Sequence, residues 1–423
     1  MLITRPRGTE DILPENISGW YLLEATAREL SYLYGYREIR TPIFEHTEIF
    51  NRGVGDTTDI VEKEMYTFKD RGGRELTLRP EGTASVVRAF LEHRMDAQGL
   101  PVKLFYLGPM FRYGRPQAGR LRQFHQFGVE AFGSMDPGLD AEVIALAMNF
   151  YRALGLEDLE LHLNSVGCPE CRAKYREELK GYLEPYLKEL CNTCQGRFER
   201  NPLRIFDCKS SVCQEIVAKA PTVVLSLCED CSDHFKRVQG YLETLGIDFI
   251  LDEHLVRGLD YYTKTAFEIM VKGIGAQSSI GGGGRYDGLV ENLGGKSVPG
   301  IGFGLGLERV LLTLQAQGKD LPQINKIEVM VVTVGADLNK EAVRLLANLR
   351  AAGFKADKDY LERSLKAQMK YANRCKARIA LILGEEEFKR GKVLVRDLET
   401  GSQEEVPLEE VVDFCRQKKE SGW

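Results

Sequence analysis

The chain has 423 residues, of which 43% are hydrophobic and 28% are charged. It contains 57 basic and 62 acidic residues. This composition is typical of folded globular proteins and excludes a disordered, collagen-like or coiled-coil chain. The net charge of −5 also weighs against a protein that coats nucleic acid by bulk charge, although a local basic face remains compatible with it. At roughly 150 residues per domain, the length predicts two or three domains.

Targeting segments are not evident in the sequence. No apolar run reaches the roughly 18 residues that a membrane span needs. The first residues, MLITRPRGTEDILPEN, contain no apolar segment of the kind found in secretory signals. We therefore expect a cytoplasmic protein without a membrane partner.

The first part of the chain predicts helices around an antiparallel sheet. Apolar residues recur at helical spacing from Pro14 to Tyr34, and a second helix is predicted from Leu139 to Leu154. Between them, short β-rich segments bounded by glycine and proline are separated by hairpin-like distances. They occupy residues 41–50, 65–70, 75–80, 103–114 and 124–133.

The predicted fold class is α/β, with three regions of different texture. An α+β core with an antiparallel sheet spans residues 1–320, and a helical, cysteine-rich insertion interrupts it over 168–245. Residues 326–423 alternate strand and helix patterns, which predicts a C-terminal α/β domain with a mainly parallel sheet.

Eight of the ten cysteines lie between Cys168 and Cys231, which indicates metal binding or buried thiols in a reducing compartment. Two Cys-x-x-Cys pairs have the separation of a zinc ribbon. The spacing therefore predicts a structural zinc site at Cys168, Cys171, Cys191 and Cys194. A third such pair, Cys228 and Cys231, and a looser one, Cys208 and Cys213, add further ligand candidates.

Residues 111–130 combine arginines with aromatic residues on a predicted strand–loop–strand segment. Guanidinium groups suit phosphate oxygens, and aromatic rings suit stacking on a base. In a hairpin, alternation would direct Arg112, Gln126 and Glu130 to the same side of the sheet. A solvated hairpin with surface arginines is the alternative interpretation.

Three other segments carry candidate site residues. Glu81 and Thr83 lie at a predicted strand-to-helix junction, where a carboxylate could bind an ammonium group and Thr83 could cap the helix. Residues 255–269 bring Arg257 close to two tyrosines, which suits a polar substrate with developing charge but also an ordinary edge strand. Arg309 follows a glycine-rich strand, yet neither G-x-G-x-x-G nor a P-loop is present, so any nucleotide site uses another architecture.

These segments together resemble one family, the histidyl-tRNA synthetases, over essentially the whole chain. Residues 34–50 with Pro42, residues 106–133 and residues 300–312 resemble motifs 1, 2 and 3 of class II aminoacyl-tRNA synthetases. Residues 255–269 and 281–289 resemble two strings peculiar to the histidyl enzymes. The resemblance implies a homodimer that attaches L-histidine to tRNA(His) through a histidyl-adenylate, with ATP as substrate and Mg²⁺ on the pyrophosphate.

The resemblance also implies roles for individual residues. Arg112 and Arg257 would be catalytic, Arg257 acting as a cation that stabilises the transition state at the α-phosphate. The residues implied in histidine binding are Glu81, Gly82, Thr83, Arg112, Gln126, Glu130, Arg257, Tyr261 and Tyr262. Those implied in ATP binding are Arg112, Arg120, Phe124, Gln126 and Arg309. Those implied in tRNA binding are Arg115 and Gln117 of the motif 2 loop, and Lys366 and Lys370 of a basic helix.

Two features depart from the family pattern. Gly114 replaces the acidic residue that usually follows Phe-Arg-Tyr, so we expect weaker ATP binding and a lower Michaelis constant for ATP in Gly114→Glu. Histidyl enzymes are also not generally zinc enzymes, which weighs against the zinc hypothesis. Two alternative functions remain at this stage: a non-catalytic regulatory paralogue of ATP phosphoribosyltransferase and a zinc-dependent RNA-binding module.

Overall fold

The computed structural model describes residues 2–55, 58–206, 208–256, 258–271, 279–322 and 327–423. Two compact units divide the chain, Met1–Leu321 and Pro322–Trp423. Arg257 lies outside the described residues, although the residues on both sides of it are included.

The first unit is built from a large sheet, a small sheet and helices. Its strands are β1 (Arg37–Glu38), β2 (Phe44–His46), β3 (Tyr66–Lys69), β4 (Glu75–Leu78), β5 (Val102–Phe111), β6 (Gln123–Phe132), β7 (Leu159–Ser165), β8 (Ile250–Leu251), β9 (Thr263–Val271), β10 (Ser279–Arg285) and β11 (Gly300–Gly306). Its helices are α1 (Ile17–Leu33), α2 (Thr47–Val54), α3 (Thr83–Glu92), α4 (Pro137–Ala153), α5 (Pro169–Leu183), α6 (Asn192–Arg200), α7 (Ser211–Val217), α8 (Glu229–Thr244), α9 (Leu289–Asn292) and α10 (Leu307–Ala316).

Within the described residues, the large sheet has the strand order β1-β5-β6-β11-β10-β9-β7-β8. Its inner pairings, from β5 to β7, are all antiparallel, and only the short outer strands β1 and β8 pair in parallel. The predicted α/β fold class with an antiparallel central sheet is therefore confirmed. The small sheet has the order β2-β4-β3.

Helices α1 and α4 cover one face of the large sheet because both carry an apolar stripe. Trp20, Leu23 and Ala27 of α1 are buried, as their helical spacing predicts. Helix α4 begins where Asp136 accepts a hydrogen bond from the Gly138 amide at 2.8 Å, with Pro137 in its first turn. Both helices pack into the main hydrophobic core with the sheet.

One predicted strand is wrong in its second half. Residues 41–50 form β2 only as far as His46, and helix α2 begins at Thr47. Alternation in the sequence suggested a single strand there. In the structure, Phe50 and Val54 lie one helical turn apart and are both buried in a small core of their own. Burial on one helical face therefore overrides the local β propensity.

The region from 168 to 245 is helical and surrounds its own small apolar core. Helix α8 also packs on α4, where the His234 ring and the buried Arg285 guanidinium both contact the Asp140 carboxylate. Both Asp140 and Arg285 are fully buried, and their opposite charges compensate for the loss of hydration. This contact attaches the helical region to the core.

The second unit is a small α/β sheet with helices. Its strands are β12 (Val329–Val334), β13 (Ala356–Lys358), β14 (Ile379–Gly384), β15 (Lys392–Asp397) and β16 (Gln403–Pro407). Its helices are α11 (Asn339–Ala351), α12 (Leu365–Arg374), α13 (Glu385–Lys389) and α14 (Val411–Glu420). The order is β13-β12-β14-β15-β16.

The second sheet is parallel through its first three strands and antiparallel through its last two. A parallel crossover needs about a dozen residues or more. Residues 385–391 and 398–402 are too few for such a crossover, so β15 and β16 return as hairpins. Strand β16 was not predicted from the sequence; it is mostly exposed and carries adjacent glutamates. Across both units, the described residues contain no helix long and apolar enough to cross a membrane.

Candidate active site

A cavity of about 430 Å³ opens on the large sheet of the first unit. Its walls come from the β5–β6 hairpin, strands β9, β10 and β11, and the starts of helices α3 and α10. The lining includes these predicted site residues: Glu81, Thr83, Arg112, Arg120, Phe124, Gln126, Tyr261, Tyr262 and Arg309. The structure therefore brings residues from four separate segments of the sequence into one place.

One end of the cavity is built at the start of helix α3. The buried carboxylate of Glu81 accepts hydrogen bonds from the backbone amides of Thr83, at 2.7 Å, and Ala84, at 2.9 Å. Glu81, and not Thr83, thus caps the helix, and Thr83 is its first residue. Burial raises the pKa of Glu81. Gly82 does not line the cavity, and a Cβ there would overlap the ring of Tyr106.

Behind this end lies Glu130, whose side chain is fully buried and does not line the cavity. Its carboxylate accepts hydrogen bonds from the hydroxyls of Thr83 at 2.7 Å, Tyr106 at 3.4 Å, and Tyr286. Burial raises the pKa of Glu130 well above its ordinary value. Glycine is required opposite it, because a Cβ at Gly302 would overlap both its carboxylate and a backbone carbonyl.

Arg112 lies beside the Glu81 end. Its Nε donates to the carbonyl oxygen of Pro80 at 2.7 Å, and its guanidinium lies 5.4 Å from the centroid of the Phe124 ring. A fixed guanidinium beside an aromatic face suits a phosphate attached to a stacked base. The remaining guanidinium N–H groups of Arg112 can donate to a ligand.

Arg120 and Gly114 face each other in the loop between β5 and β6. Arg120 donates to the Glu64 carboxylate at 2.7 Å. A Cβ on Gly114 would lie 3.2 Å from both Glu64 Oε1 and Arg120 Nε. The structure thus supplies a carboxylate, from a distant segment, beside the position where the family usually has an acidic residue.

Arg309 occupies another part of the cavity wall, in the first turn of α10. Its guanidinium donates to the carbonyl oxygens of Gly119, at 3.2 Å, and Ser279. The neighbouring Glu308 carboxylate accepts from the backbone amide and the ring of His125, each at 2.9 Å. A cation and a carboxylate are therefore adjacent on this wall.

Gln126 lies on the floor of the cavity with an unsatisfied polar atom. Its Oε1 is buried and has no hydrogen-bond partner among the described residues. Native proteins leave few such atoms, because each costs free energy comparable to a lost hydrogen bond. Gln126 is thus a polar group that a ligand could satisfy after a small side-chain rotation.

The segment after the insertion forms the remaining wall. Val256, Gly258, Tyr261 and Tyr262 line the cavity, and the two tyrosine rings are 4.7 Å apart. Burial raises the pKa of Tyr261 well above its ordinary value, so it stays a protonated hydrogen-bond donor at neutral pH. Because Arg257 is outside the described residues, its predicted catalytic position has no structural description here.

Arg172 of the insertion supports this wall. Its Nη1 donates to the backbone carbonyls of Asp260 at 3.2 Å and Tyr262 at 3.0 Å. Asn201, also in the insertion, donates to the Asp260 carboxylate at 3.0 Å. The insertion therefore holds the backbone that carries the two tyrosines.

The predicted tRNA-contacting residues of the first unit lie outside the cavity lining. Arg115 and Gln117 are exposed on the loop between β5 and β6, where Gln117 and Arg120 pair in an isolated antiparallel β-bridge. They are close in sequence to Arg112 and Arg120, which do line the cavity.

In the second unit, the predicted basic helix is α12, and two arginines that flank it are paired with carboxylates. Lys366 and Lys370 are exposed on α12, one turn apart. Arg363 and Arg378 instead form ion pairs with Asp359 and Asp397. A groove beside α12 is lined by both lysines and also by the glutamates Glu385, Glu386 and Glu387.

The predicted zinc ligand set is wrong in its grouping. Cys168 and Cys171 lie with Cys228 and Cys231, whereas Cys191 and Cys194 lie with Cys208 and Cys213. The physical reason is the packing of the insertion helices: the starts of α5 and α8 meet, whereas the start of α6 meets the residues before and within α7. Sequence proximity of two pairs therefore did not decide which thiols meet.

Several residues of the site were not predicted. They are Glu64, Tyr106, Glu268, Tyr286 and Glu308. Tyr106 lies on the same alternation as Arg112 along the β5 segment, and Glu308 is adjacent to Arg309, so both carried a signal. Glu64 reaches Arg120 from the end of a short π-helix, Ile60–Glu64, and no sequence pattern indicates that approach.

The fold and the cavity define a class of protein: an antiparallel sheet that carries arginines for phosphates is the arrangement expected of a class II aminoacyl-tRNA synthetase. The family model described as Histidyl-tRNA synthetase matches residues 8–310. A second one, described as Anticodon binding domain, matches residues 328–418. The chain belongs to the histidyl-tRNA synthetase family.

Similar proteins cover the full chain. The chain described here is 78% identical over 423 residues to Histidine--tRNA ligase of Moorella thermoacetica, with 100% of both chains covered. It is 61% identical over 416 residues to that of Desulforamulus reducens, covering 98% of this chain and 99% of the relative. The crystal structure of apo S. aureus histidyl-tRNA synthetase has a TM-score of 0.84 at 43% identity, covering 98% of this chain and 99% of that one. These findings confirm the resemblance found from the motifs.

Proposed function

We propose that the chain is a histidine–tRNA ligase, which activates L-histidine with ATP as histidyl-adenylate and transfers the histidyl group to tRNA(His). The observation that carries this proposal is the arrangement of one cavity. A buried carboxylate, Glu81, lies beside the fixed cation Arg112, and a second fixed cation, Arg309, lies on another part of the wall. An amino acid and a triphosphate need groups of these kinds within reach of each other.

Histidine would bind at the Glu81 end. The Glu81 carboxylate and the Thr83 hydroxyl would bind the α-amino group, with Gln126 nearby; all three residues line the cavity. Tyr261 and Tyr262 line the adjacent wall and are assigned to the imidazole. Glu130 would act on the imidazole through the hydroxyls that it orients, and Gly82 would let the backbone approach the Tyr106 ring closely.

ATP would bind across Arg112, Phe124, Arg120 and Arg309. The histidine carboxylate attacks the α-phosphorus in line, the bond to the pyrophosphate oxygen breaks, and pyrophosphate leaves. No strong base is required, because the nucleophile is already ionised. Arg112 would neutralise charge at the α-phosphate, with Arg257 proposed as the second cation there, and Arg309 would hold the γ-phosphate.

We propose that ATP binds together with Mg²⁺. Glu268 and Glu308 both line the cavity, and Mg²⁺ binds through one or two carboxylates together with substrate phosphates. The donor set therefore fits, and these two residues would hold the ion. When bound, Mg²⁺ would supply positive charge to the leaving pyrophosphate.

The tRNA would contact both units. The 3′ end would pass Arg115 and Gln117 on the loop between β5 and β6, and the anticodon would meet Lys366 and Lys370 on α12. In this proposal, residues 1–320 form the catalytic core, 168–245 its insertion, and 326–423 the anticodon-binding domain. Because the partner is tRNA, we place the enzyme in the cytoplasm.

We also propose a homodimer formed through the motif 1 region. Ile43 and Phe44 at β2 and Phe68 on β3 expose large apolar side chains on the small sheet. Contiguous exposed apolar groups indicate a protein contact surface. Sedimentation of the wild-type chain should give a dimer, and Phe44→Glu should shift it toward monomer; a wild-type monomer would contradict this part.

The decisive test is histidine-dependent ATP–pyrophosphate exchange by the full chain. Wild type should exchange label with histidine and not with other amino acids, and Arg112→Gln should abolish exchange. Arg115→Gln is the matched control, because it should retain exchange while lowering aminoacylation of tRNA. If folded wild-type protein supplied with ATP shows no exchange, the regulatory paralogue is favoured. If exchange is lost only when zinc is removed, the result favours neither of the two alternative functions.

The two alternatives are less well supported than the ligase. The high identity to histidine–tRNA ligases extends over both units, whereas a regulatory paralogue typically lacks the C-terminal domain. An RNA-binding module would explain the cysteines and α12 but not the arginine-lined cavity.

A further inference from the structure

The two cysteine groups of the insertion have the geometry of metal sites. In each group the four sulfur atoms lie within 4.8 Å of one another. We propose that each group binds one structural Zn²⁺ through four thiolates. The first site comprises Cys168, Cys171, Cys228 and Cys231, and the second comprises Cys191, Cys194, Cys208 and Cys213.

Sulfur–sulfur distances separate this assignment from disulfides. Four thiolates at about 2.3 Å from a tetrahedral Zn²⁺ are about 3.8 Å from each other, whereas a disulfide bond is about 2.05 Å long. The Sγ atom of Cys168 lies 3.5 Å from the Sγ atom of Cys171 and 4.0 Å from that of Cys228. In the second group, Cys191 and Cys208 are 3.7 Å apart. All ten cysteines are within the described residues, and none forms a disulfide.

The backbone around the sulfur atoms also favours thiolates. Cys168, Cys191 and Cys228 each occupy the position just before a helix, so the positive ends of three helix dipoles point at the two groups. The amide of Cys228 donates to Cys171 Sγ at 3.0 Å.

The second group has the same kind of support. Its amide donors are Cys191, to Cys213 Sγ at 3.3 Å, and Ser210, to Cys208 Sγ at 3.4 Å. Amide donors of this kind compensate for the negative charge that four thiolates place around one ion.

Ligand chemistry selects the metal. Four sulfur ligands in a tetrahedron suit Zn²⁺ or iron, and they exclude Mg²⁺ and Ca²⁺, which require oxygen. Four protein ligands leave no open position, which is the arrangement of structural zinc. The cavity lining contains no cysteine among the described residues, so these sites take no part in the proposed reaction.

Each site would join segments that are far apart in the sequence. The first connects the start of α5 to the start of α8, where the insertion begins and where its last helix returns to the core. The second connects the start of α6 to the residues before and within α7, inside the small apolar core of the insertion. A core this small gains stability from a metal that closes it.

Metal analysis of the full chain tests the proposal. Protein purified without chelator or polyhistidine tag should contain two zinc ions per chain by mass spectrometry of the elements. Cys231→Ser and Cys213→Ser should each contain one, and Cys375→Ser, outside both groups, should keep two. A zinc content of one or less in wild type, iron in place of zinc, or a content unchanged by both site variants would overturn the assignment.

A second measurement covers the case in which the site variants do not fold. Wild-type protein titrated with a mercurial thiol reagent should release two zinc ions to a colorimetric indicator. Protein produced with Co²⁺ should show sulfur-to-cobalt charge transfer and the strong ligand-field bands of tetrahedral cobalt. All thiols titrating at once without metal release, or octahedral cobalt spectra, would overturn the proposal irrespective of the variants.

Discussion

Thr83 is the residue at which the proposed site can be tested most sharply. Its backbone amide donates to Glu81, its hydroxyl donates to Glu130 at 2.7 Å, and its side chain lines the cavity. Thr83→Val keeps the branched shape but removes the hydroxyl. If this hydroxyl binds the α-amino group of histidine, the substitution should weaken histidine binding and leave ATP binding nearly unchanged.

The expected magnitude follows from the charge on the groups involved. A hydrogen bond to a charged partner contributes about 1.5–3 kcal/mol. Because about 1.4 kcal/mol is a factor of ten, the Michaelis constant for histidine should rise roughly 10- to 150-fold. Thr83→Ser retains the hydroxyl and should stay within about threefold of wild type, since it loses only a methyl group.

Pyrophosphate exchange measured against histidine and against ATP separates these effects. Circular dichroism and the thermal midpoint of each variant control for folding. A Thr83→Val enzyme with a wild-type constant for histidine would refute the assigned role. Equal damage in Thr83→Ser would show that shape, not the hydroxyl, matters at this position.

Three further outcomes are expected. Burial raises the pKa of Glu130, so its protonated form stabilises the fold at acidic pH and this contribution is lost as pH rises through the folded pKa. The non-titrating Glu130→Gln should therefore gain thermal stability relative to wild type as the pH rises above the ordinary carboxyl range, and a difference independent of pH would contradict this. The structure reverses the expectation that the motif alone gives for Gly114→Glu. This substitution should raise the Michaelis constant for ATP about two- to fivefold, because a second carboxylate beside Glu64 competes for Arg120. A lower constant, measured by pyrophosphate exchange, would instead support the expectation from the motif. Replacing Lys366 and Lys370 by alanine should reduce the slope of log affinity for tRNA against log salt by about 1.4, and an unchanged slope in filter binding would remove α12 from the interface.

Much of the fold was predictable because hydrophobic periodicity is local. Helices α1 and α4 and the strands of the β5–β6 hairpin were predicted close to their observed ranges, since apolar faces of each are buried. The boundary at Thr47 was not, because it depends on a small core formed with residues distant in sequence. Strand β16 was missed because it gains its stability from pairing with β15 and has little apolar pattern of its own.

The site was predictable in its residue types and less so in its contacts. Alternation placed Gln126 and Glu130 on one face, and the register of β5 with β6 bears this out. The sequence could not show that Glu130 lies behind the cavity lining, because that depends on how the hydroxyls of neighbouring strands reach it. The predicted grouping of the cysteines was also wrong because it depends on tertiary contacts. Spacing measures distance along the chain, whereas helix packing decides which thiols meet.

Arg172 connects the first cysteine group to the wall of the cavity. It directly follows Cys171 in the chain, and it holds the backbone carbonyls of Asp260 and Tyr262. If zinc orders the start of α5 and Tyr262 binds histidine as proposed, then zinc also favours the histidine-binding conformation of Tyr262. Thermodynamic reciprocity then requires that histidine, in turn, tighten the binding of zinc by the same factor, so that the availability of one trace metal and the occupancy of the amino-acid site are coupled within one polypeptide.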